Sequence, residues 1–277
     1  MPMRIEELEA MARKIRAQAV RMSHRGDSPH LGSQLSCIDI LVAAYFLALR
    51  IDPKNASAPD RDRFILSKGH AAPALYAVLA ERGFFSKDLI ESYNTDGSPL
   101  PEQPSPNCVP GLEAATGSLG HGLPIGVGMA LAARIHKLNY RVFVTLSDGE
   151  CNEGSVWEAA MFAPAQKLDN LFVIVDFNKW QATGRSEEVM SIQPFADKWR
   201  AFGWSTYEID GNDMKQVVDV MSKVPDGSGK PIAVIANTVK GKGVPFMEDD
   251  NNWHYRIPTA DEVQQVWTLM GQGNVTL

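Results

Sequence analysis

Residues 145–184, TLSDGECNEGSVWEAAMFAPAQKLDNLFVIVDFNKWQATG, read as strand, loop, helix and strand. The apolar run Val142-Phe143-Val144-Thr145-Leu146 stops at Ser147-Asp148-Gly149, and a second run, 171–175, stops at Asp176-Phe177-Asn178. Between them 155–167 carries a helical pattern. A crossover of this kind makes the two strands parallel and brings their carboxyl ends to one edge of the sheet, where open α/β sheets bind ligands. Oxygen donors meet there: the Asp148 carboxylate, the Asn178 amide oxygen and the backbone carbonyls of the following loop. Such a set suits a hard divalent cation such as Mg²⁺ that also holds phosphate oxygens, and Gly149 lets backbone N–H groups approach a phosphate closely. Asp and Asn also cap helices and shape turns, so these residues alone leave the chemistry open.

The chain has 277 residues, 44% of them apolar, enough for one large α/β domain or two small ones with a sizeable core. A net charge of −6 with no basic stripe argues against nucleic acid as a partner. The amino-terminal segment MPMRIEELEAMARKIRAQAV is charged and amphipathic, and no apolar run reaches membrane-spanning length, so a cytoplasmic protein without membrane attachment is expected. Cys37, Cys108 and Cys151 are odd in number and lack CxxC spacing, which argues against a disulfide framework or a zinc site.

Outward from the central unit, 5–23 repeats apolar positions at helical spacing. A turn holding His30 follows, and then a helix apolar on most faces, hence buried. Residues 63–67 form a short strand, and Lys68-Gly69-His70-Ala71-Ala72 opens a helix, a geometry that binds anions through the first-turn N–H groups. The segment 96–111, with five prolines, reads as an irregular loop. Glycines dense in 111–122 permit close approach of backbone to a flat ligand, and a helix is expected over 122–137. After Gly184, Arg185-Ser186-Glu187-Glu188 reads as a polar loop. Helix 194–202, strand 204–209, helix 213–223, strand 232–236 and helix 260–272 follow. This alternation predicts a three-layer α/β/α fold with a central, mainly parallel sheet, 1–277 forming a single domain.

These motifs resemble the transketolase family. The order DG, EG, helix, strand, D-x-N-K-x-Q-x-x-G is similar to its thiamine-diphosphate motif, with Ser147 where glycine is usual. Leu66-Ser67-Lys68-Gly69-His70-Ala71 matches L-S-x-G-H-A, and Thr116-Gly117-Ser118-Leu119-Gly120 matches the stretch that lines the thiamine rings. Ser28-Pro29-His30-Leu31-Gly32-Ser33 resembles S-G-H-P-G/T-S, while Lys240 lies in a K-G-x-G loop and His254 in a W-H segment. Departures are Glu102-Gln103 for Gly-His, His121 for glutamine and Tyr255 for glycine.

The resemblance implies the thiamine-diphosphate-binding fold, with Mg²⁺, or Ca²⁺ or Mn²⁺ in its place, on Asp148, Asn178 and the Trp180 carbonyl. It implies cofactor contacts from Ser33, His70, Gly117, Ser118, Leu119, Asp148, Gly149, Glu150, Asn178, Lys240 and His254. Catalytic roles fall to His30, His70, Gln103, Glu153, Glu158 and His254, where Glu153 and Glu158 match E-G-x-x-x-E at an interface between domains. In the family a glutamate from a second, pyrimidine-binding domain completes the site, and this chain stops before such a domain. The expectation is therefore the amino-terminal subunit of a split transketolase, in an α2β2 assembly with a pyrimidine-binding carboxy-terminal subunit, moving a two-carbon ketol unit from a ketose to an aldose (phosphate). Gln103 and Tyr255 leave open a pyruvate-using acyloin or deoxy-sugar-type synthase. More distant readings are a nicotinamide dehydrogenase, which lacks support because no G-x-G-x-x-G with a following acidic residue succeeds a strand, and a non-catalytic binding subunit.

Overall fold

The structure, a computed structural model, describes residues 3–106 and 108–275. Among them five strands, β1 (Arg63–Leu66), β2 (Val142–Ser147), β3 (Leu171–Phe177), β4 (Ser205–Asp210) and β5 (Ile232–Asn237), pair in the order β1-β2-β3-β5-β4. Every neighbouring pair is parallel. β2 and β3 are buried along their whole length, which is why they read as continuous apolar runs rather than as an alternating pattern.

The pleat still divides their side chains between two layers. Val142, Val144 and Leu146 of β2, with Leu171, Val173 and Val175 of β3, pack on α5 (Gly122–Ile135), α6 (Gly154–Ala165) and α8 (Phe195–Phe202). Phe143, Phe172 and Ile174 face the opposite layer, built from α1 (Ile5–Arg25), α2 (Leu31–Ser36), α3 (Ile38–Ala43), α4 (Ala72–Arg82), α9 (Met214–Met221) and α10 (Ala260–Leu269). The architecture is the expected three-layer α/β/α fold. Gly126 permits the tight seat of α5 on the sheet, since a Cβ there would stand 2.5 Å from Val144 Cγ2.

Two expectations are corrected. The buried helix after residue 33 is broken: α2 ends at Ser36, α3 starts at Ile38, and a widened helical turn covers 44–48. The Ser36 hydroxyl lies 2.6 Å from Asp176 and 3.0 Å from the Ser33 carbonyl, its single proton going to one or the other, so a side chain competes with the helical ladder at the break. The polar segment after Gly184 is not a loop throughout, because Ser186–Met190 forms a short helix, α7, with Glu187 and Glu188 in its first turn where the helix dipole favours them. Less than two turns long, it shows no amphipathic period. Other helix ends shift by a few residues.

The α6–α8 contact is an aromatic cluster. Trp199, wholly buried, meets Trp204 edge-on at 5.0 Å and Trp157 at 5.5 Å between ring centroids, while its indole N–H finds no partner. Trp199→Ala should lower the unfolding free energy by about 3 kcal/mol, the lower end for a buried tryptophan because no hydrogen bond is lost with it. A urea denaturation midpoint equal to that of the wild type would show that the cluster does not hold this layer to the sheet.

Candidate functional site

At the carboxyl edge of β1, β2 and β3 lies a cleft of about 270 Å³. Three imidazoles form one wall. His30 precedes α2 in left-handed backbone (φ 70) and donates its amide to the His254 carbonyl at 2.8 Å. Its ring centroid lies 4.9 Å from that of His254 and 5.4 Å from that of His70, which comes from the turn before α4. Burial, followed by the nearby Lys240 and Lys68 charges, lowers the His30 pKa. His70 is pushed well below the ordinary range by burial and then Lys68, and His254 is pushed down to about 3 by burial and then Lys240. The cluster is therefore neutral at physiological pH, able to accept a hydrogen bond on one ring nitrogen and donate from the other. Lys240 backs it, donating to Asn251 at 2.6 Å and lying 3.4 Å from His254 Nδ1.

Asp148 and Asn178 stand at the ends of β2 and β3; Asn178 lines the cleft, and Asp148 lies behind the lining between Ser147 and Gly149. Asp148 is fully buried. Its Oδ2 accepts from the Lys179 amide (3.0 Å) and the Ser186 hydroxyl (2.6 Å), while its Oδ1 is buried with no partner. Asn178 accepts the Trp180 amide at 3.0 Å. Among the described residues no three His, Cys, Asp or Glu side chains converge on a metal position. A cation here would rest on one carboxylate, one amide oxygen and backbone, and the orphaned Asp148 oxygen fits that requirement. Gly117, at φ 136, leaves space that a Cβ would take from the Gln103 amide, so backbone and Gln103 share that wall. Ser33, Leu119, Ser147, Gly149, Glu150, Trp180, Gln181 and Ala182 complete the lining.

The remaining expected residues are engaged elsewhere or lie outside the cleft. Glu150 reaches the lining, but its oxygens are taken by the Ser67 hydroxyl and the amides of Gly120 (2.9 Å) and Ser147 (3.2 Å). Ser118 is exposed and lies outside the cleft lining, and Glu153 and Glu158, also exposed, sit at the start and along the face of α6, outside the cleft. His121 is exposed and makes no cap bond. Three features escaped the sequence reading. Lys68 and Asp176 form a fully buried ion pair beneath the imidazoles. Gln181 turns a buried, unpartnered amide nitrogen toward the site, and Glu102 Oε1 comes within 3.9 Å of His30 Nδ1. A lone charge inside each apolar strand end, at 68 and 176, was the available signal for the first.

The sequence profile described as "Transketolase, thiamine diphosphate binding domain" matches residues 8–275. The chain belongs to the transketolase family. It is 41% identical over 263 residues to an apulose-4-phosphate transketolase subunit of Phocaeicola vulgatus, covering 95% of this chain and 93% of that one. It is 43% identical over 219 residues to a 6-deoxy-6-sulfo-D-fructose transketolase subunit of Clostridium sp., covering 79% and 80%. Among solved structures, the transketolase of Campylobacter jejuni superimposes with a TM-score of 0.91 at 26% identity, over 98% of this chain but 44% of that one. The chain thus spans less than half the length of that solved transketolase, while it matches nearly all of the Phocaeicola vulgatus protein. It is a transketolase-type transferase subunit with a thiamine-diphosphate-binding domain.

The buried edge makes stability depend on pH. Burial raises the Asp148 pKa from 3.8 to about 6. A folded value above the unfolded one favours the neutral acid on folding; that contribution is complete below about pH 4 and is lost as pH rises through 6. Without divalent cations, Asp148→Asn should match the wild type near pH 4 and exceed it by up to about 3 kcal/mol at pH 8. Urea titrations in chelator at the two pH values measure the gap, and a gap independent of pH would disprove the assignment of the shift.

Proposed function

We propose that residues 1–277 form a single diphosphate-binding domain, and that the chain is one half of a two-component, Mg²⁺-dependent transketolase transferring a two-carbon ketol unit from a ketose to an aldose. The Asp148 oxygen left without a partner, buried beside Asn178 at the parallel edge, is the observation behind it. Asp148, Asn178 and the Trp180 carbonyl hold the cation, Mg²⁺ or in its place Ca²⁺ or Mn²⁺. His70, Gly149 and His254 meet the diphosphate oxygens, and Ser33, Gly117, Ser118, Leu119, Glu150 and Lys240 border the cofactor. Thiamine diphosphate, when bound, supplies the nucleophilic carbon for breaking and making carbon–carbon bonds. His30 and His254, neutral, take a proton from a substrate hydroxyl and return it, and Gln103 holds a hydroxyl without carrying charge.

The partner is a pyrimidine-binding subunit in an α2β2 assembly, by analogy with the relatives whose names mark each as one subunit of a transketolase. Ile135, Met161 and Phe162 expose 67%, 51% and 44% of their surface on α5 and α6, an apolar area that a second chain would cover. Glu153 and Glu158 lie at α6 beside it, and burial against the partner would favour a proton shared between carboxylates. Among the described residues no helix is long and apolar enough to cross a membrane, and a cytoplasmic location is proposed.

The relatives are named for apulose 4-phosphate and 6-deoxy-6-sulfo-D-fructose, and only the ketose class is carried over to this chain. Gln103 in the cleft favours an altered donor, which keeps the pyruvate reading as the second choice. Against it, no Arg or Lys among the described residues lines the cleft to receive a carboxylate, Lys240 being engaged by Asn251 behind His254, and Glu102 stands beside His30. With family membership established, a nicotinamide dehydrogenase has no remaining support.

Calorimetric titration with thiamine diphosphate and Mg²⁺ should show binding to the wild type and a loss of about a hundredfold or more in Asp148→Ala; unchanged binding refutes the metal assignment. Reconstitution with a pyrimidine-domain subunit should give turnover with a phosphorylated ketose. Turnover with pyruvate instead would replace the transketolase reading by the synthase, and cofactor binding without turnover would indicate a non-catalytic role.

A further inference from the structure

The turn that follows Asn178, which lines the cleft with Trp180, Gln181 and Ala182, is fastened to the segment that carries His254. Residues 179–186 double back on themselves: Gln181 donates its amide to Gly184 at 2.9 Å, Ser186 donates to Lys179 at 3.1 Å, and Trp180 and Arg185 pair as an antiparallel bridge. Asp249 reaches over from the other side. Its Oδ1 accepts from the Trp180 indole (2.8 Å) and from Arg185 Nη1 (2.6 Å), and its Oδ2 accepts from Arg185 Nη2 (2.7 Å). The Arg185 guanidinium in turn lies 3.8 Å over the Trp180 ring. A second tie runs parallel to the first, because Asn251 donates to the Ala182 carbonyl at 3.1 Å while accepting from Lys240.

The clasp does not resemble a stability element. The Arg185 and Asp249 side chains keep 35% and 57% of their surface exposed, and an ion pair so open to water contributes little to folding. Asp249 also sits in left-handed backbone at φ 59, and Lys179 does so at φ 71, conformations that non-glycine residues adopt at a cost. A bidentate arginine that also stacks on an aromatic face fixes orientation more than it adds energy. What it orients is the Trp180 backbone, between Asn178 and the Ser186 hydroxyl that holds Asp148.

We propose that Asp249 is a positioning residue for the divalent cation: by clasping Trp180 and Arg185 it sets the turn that carries the Trp180 carbonyl, and it joins that turn to the His254 segment. This rests on the cation site proposed above at Asp148, Asn178 and Trp180. Residues that orient metal ligands without touching the metal typically change affinity by tenfold or more when removed. Loss of the clasp therefore loosens the cation while leaving the fold intact.

The test is a Mn²⁺ titration of the chain with thiamine diphosphate and its pyrimidine-domain partner present, with free ion counted by electron paramagnetic resonance and thermal melting followed in parallel. Asp249→Ala should weaken Mn²⁺ by roughly tenfold with the melting temperature of the cation-free protein unchanged. Arg185→Lys, which keeps the charge and loses the bidentate stack, should give a smaller weakening of the same kind, and it carries the test if Asp249→Ala does not fold. Asp148→Asn serves as the reference. Wild-type affinity in Asp249→Ala, with Asp148→Asn impaired, overturns the clasp and leaves the site standing. Wild-type affinity in Asp148→Asn as well, or no Mn²⁺ binding by the wild type, overturns both. A cation-free melting temperature that falls in step with affinity shows a structural role only and overturns positioning.

Discussion

Beneath the three imidazoles, the ammonium of Lys68 and the carboxylate of Asp176 meet, both without exposure to solvent. Two charges withdrawn from water cost several kcal/mol each unless further hydrogen bonds compensate them, and here each has further partners. Lys68 also donates to the Ser33 carbonyl at 2.8 Å, and Asp176 accepts from the hydroxyls of Ser36 and Thr238. The contacts come from α2, from the segment after β1 that leads into His70, from β3 just before Asn178, and from the end of β5 just before Lys240. A shift of any of these segments breaks the ion pair or strips a hydrogen bond from it, so the pair ties together the segments that carry His70, Asn178 and Lys240.

The same burial explains why charges of opposite kinds move in opposite directions around it. Desolvation disfavours whichever form is charged. It holds the histidines neutral, with the Lys68 and Lys240 ammonium groups adding to the effect, and it lifts Asp148 toward neutrality until something positive occupies its free oxygen. The cleft thus presents neutral imidazoles and the Gln103 and Asn178 amides, with the under-compensated Asp148 carboxylate buried just behind its lining. Hydroxyl-bearing substrate groups suit the imidazoles, and a cation bridging to phosphate suits the carboxylate.

Much of the site could be read from the chain because its signals are local. Asp148 and Asn178 stand where apolar runs end, His70 stands one residue past a strand-to-helix glycine, and Gly117 lies in a glycine-dense stretch. Ser147, unusual at its position, keeps the loop closed by accepting the Glu150 amide at 3.3 Å. The break of the buried helix at Cys37 was not legible, because it depends on Ser36 finding Asp176 140 residues away. Nor was the helix at Ser186, too short to display a period, nor the left-handed backbone of His30, whose N–H donates a hydrogen bond to the His254 carbonyl.

By itself the order of residues determined the element types, the parallel sheet and the side chains that would gather at its carboxyl edge, since periodicity and strand-end chemistry act over a few neighbours. Only the tertiary structure decided which of those side chains face one another, which oxygen of Asp148 stays free, that Glu150 is occupied by Ser67 and Gly120, and that Asp249 closes on Trp180 and Arg185. Those outcomes depend on distances between segments far apart in the chain and on how completely water is removed from each group, quantities that no local pattern carries.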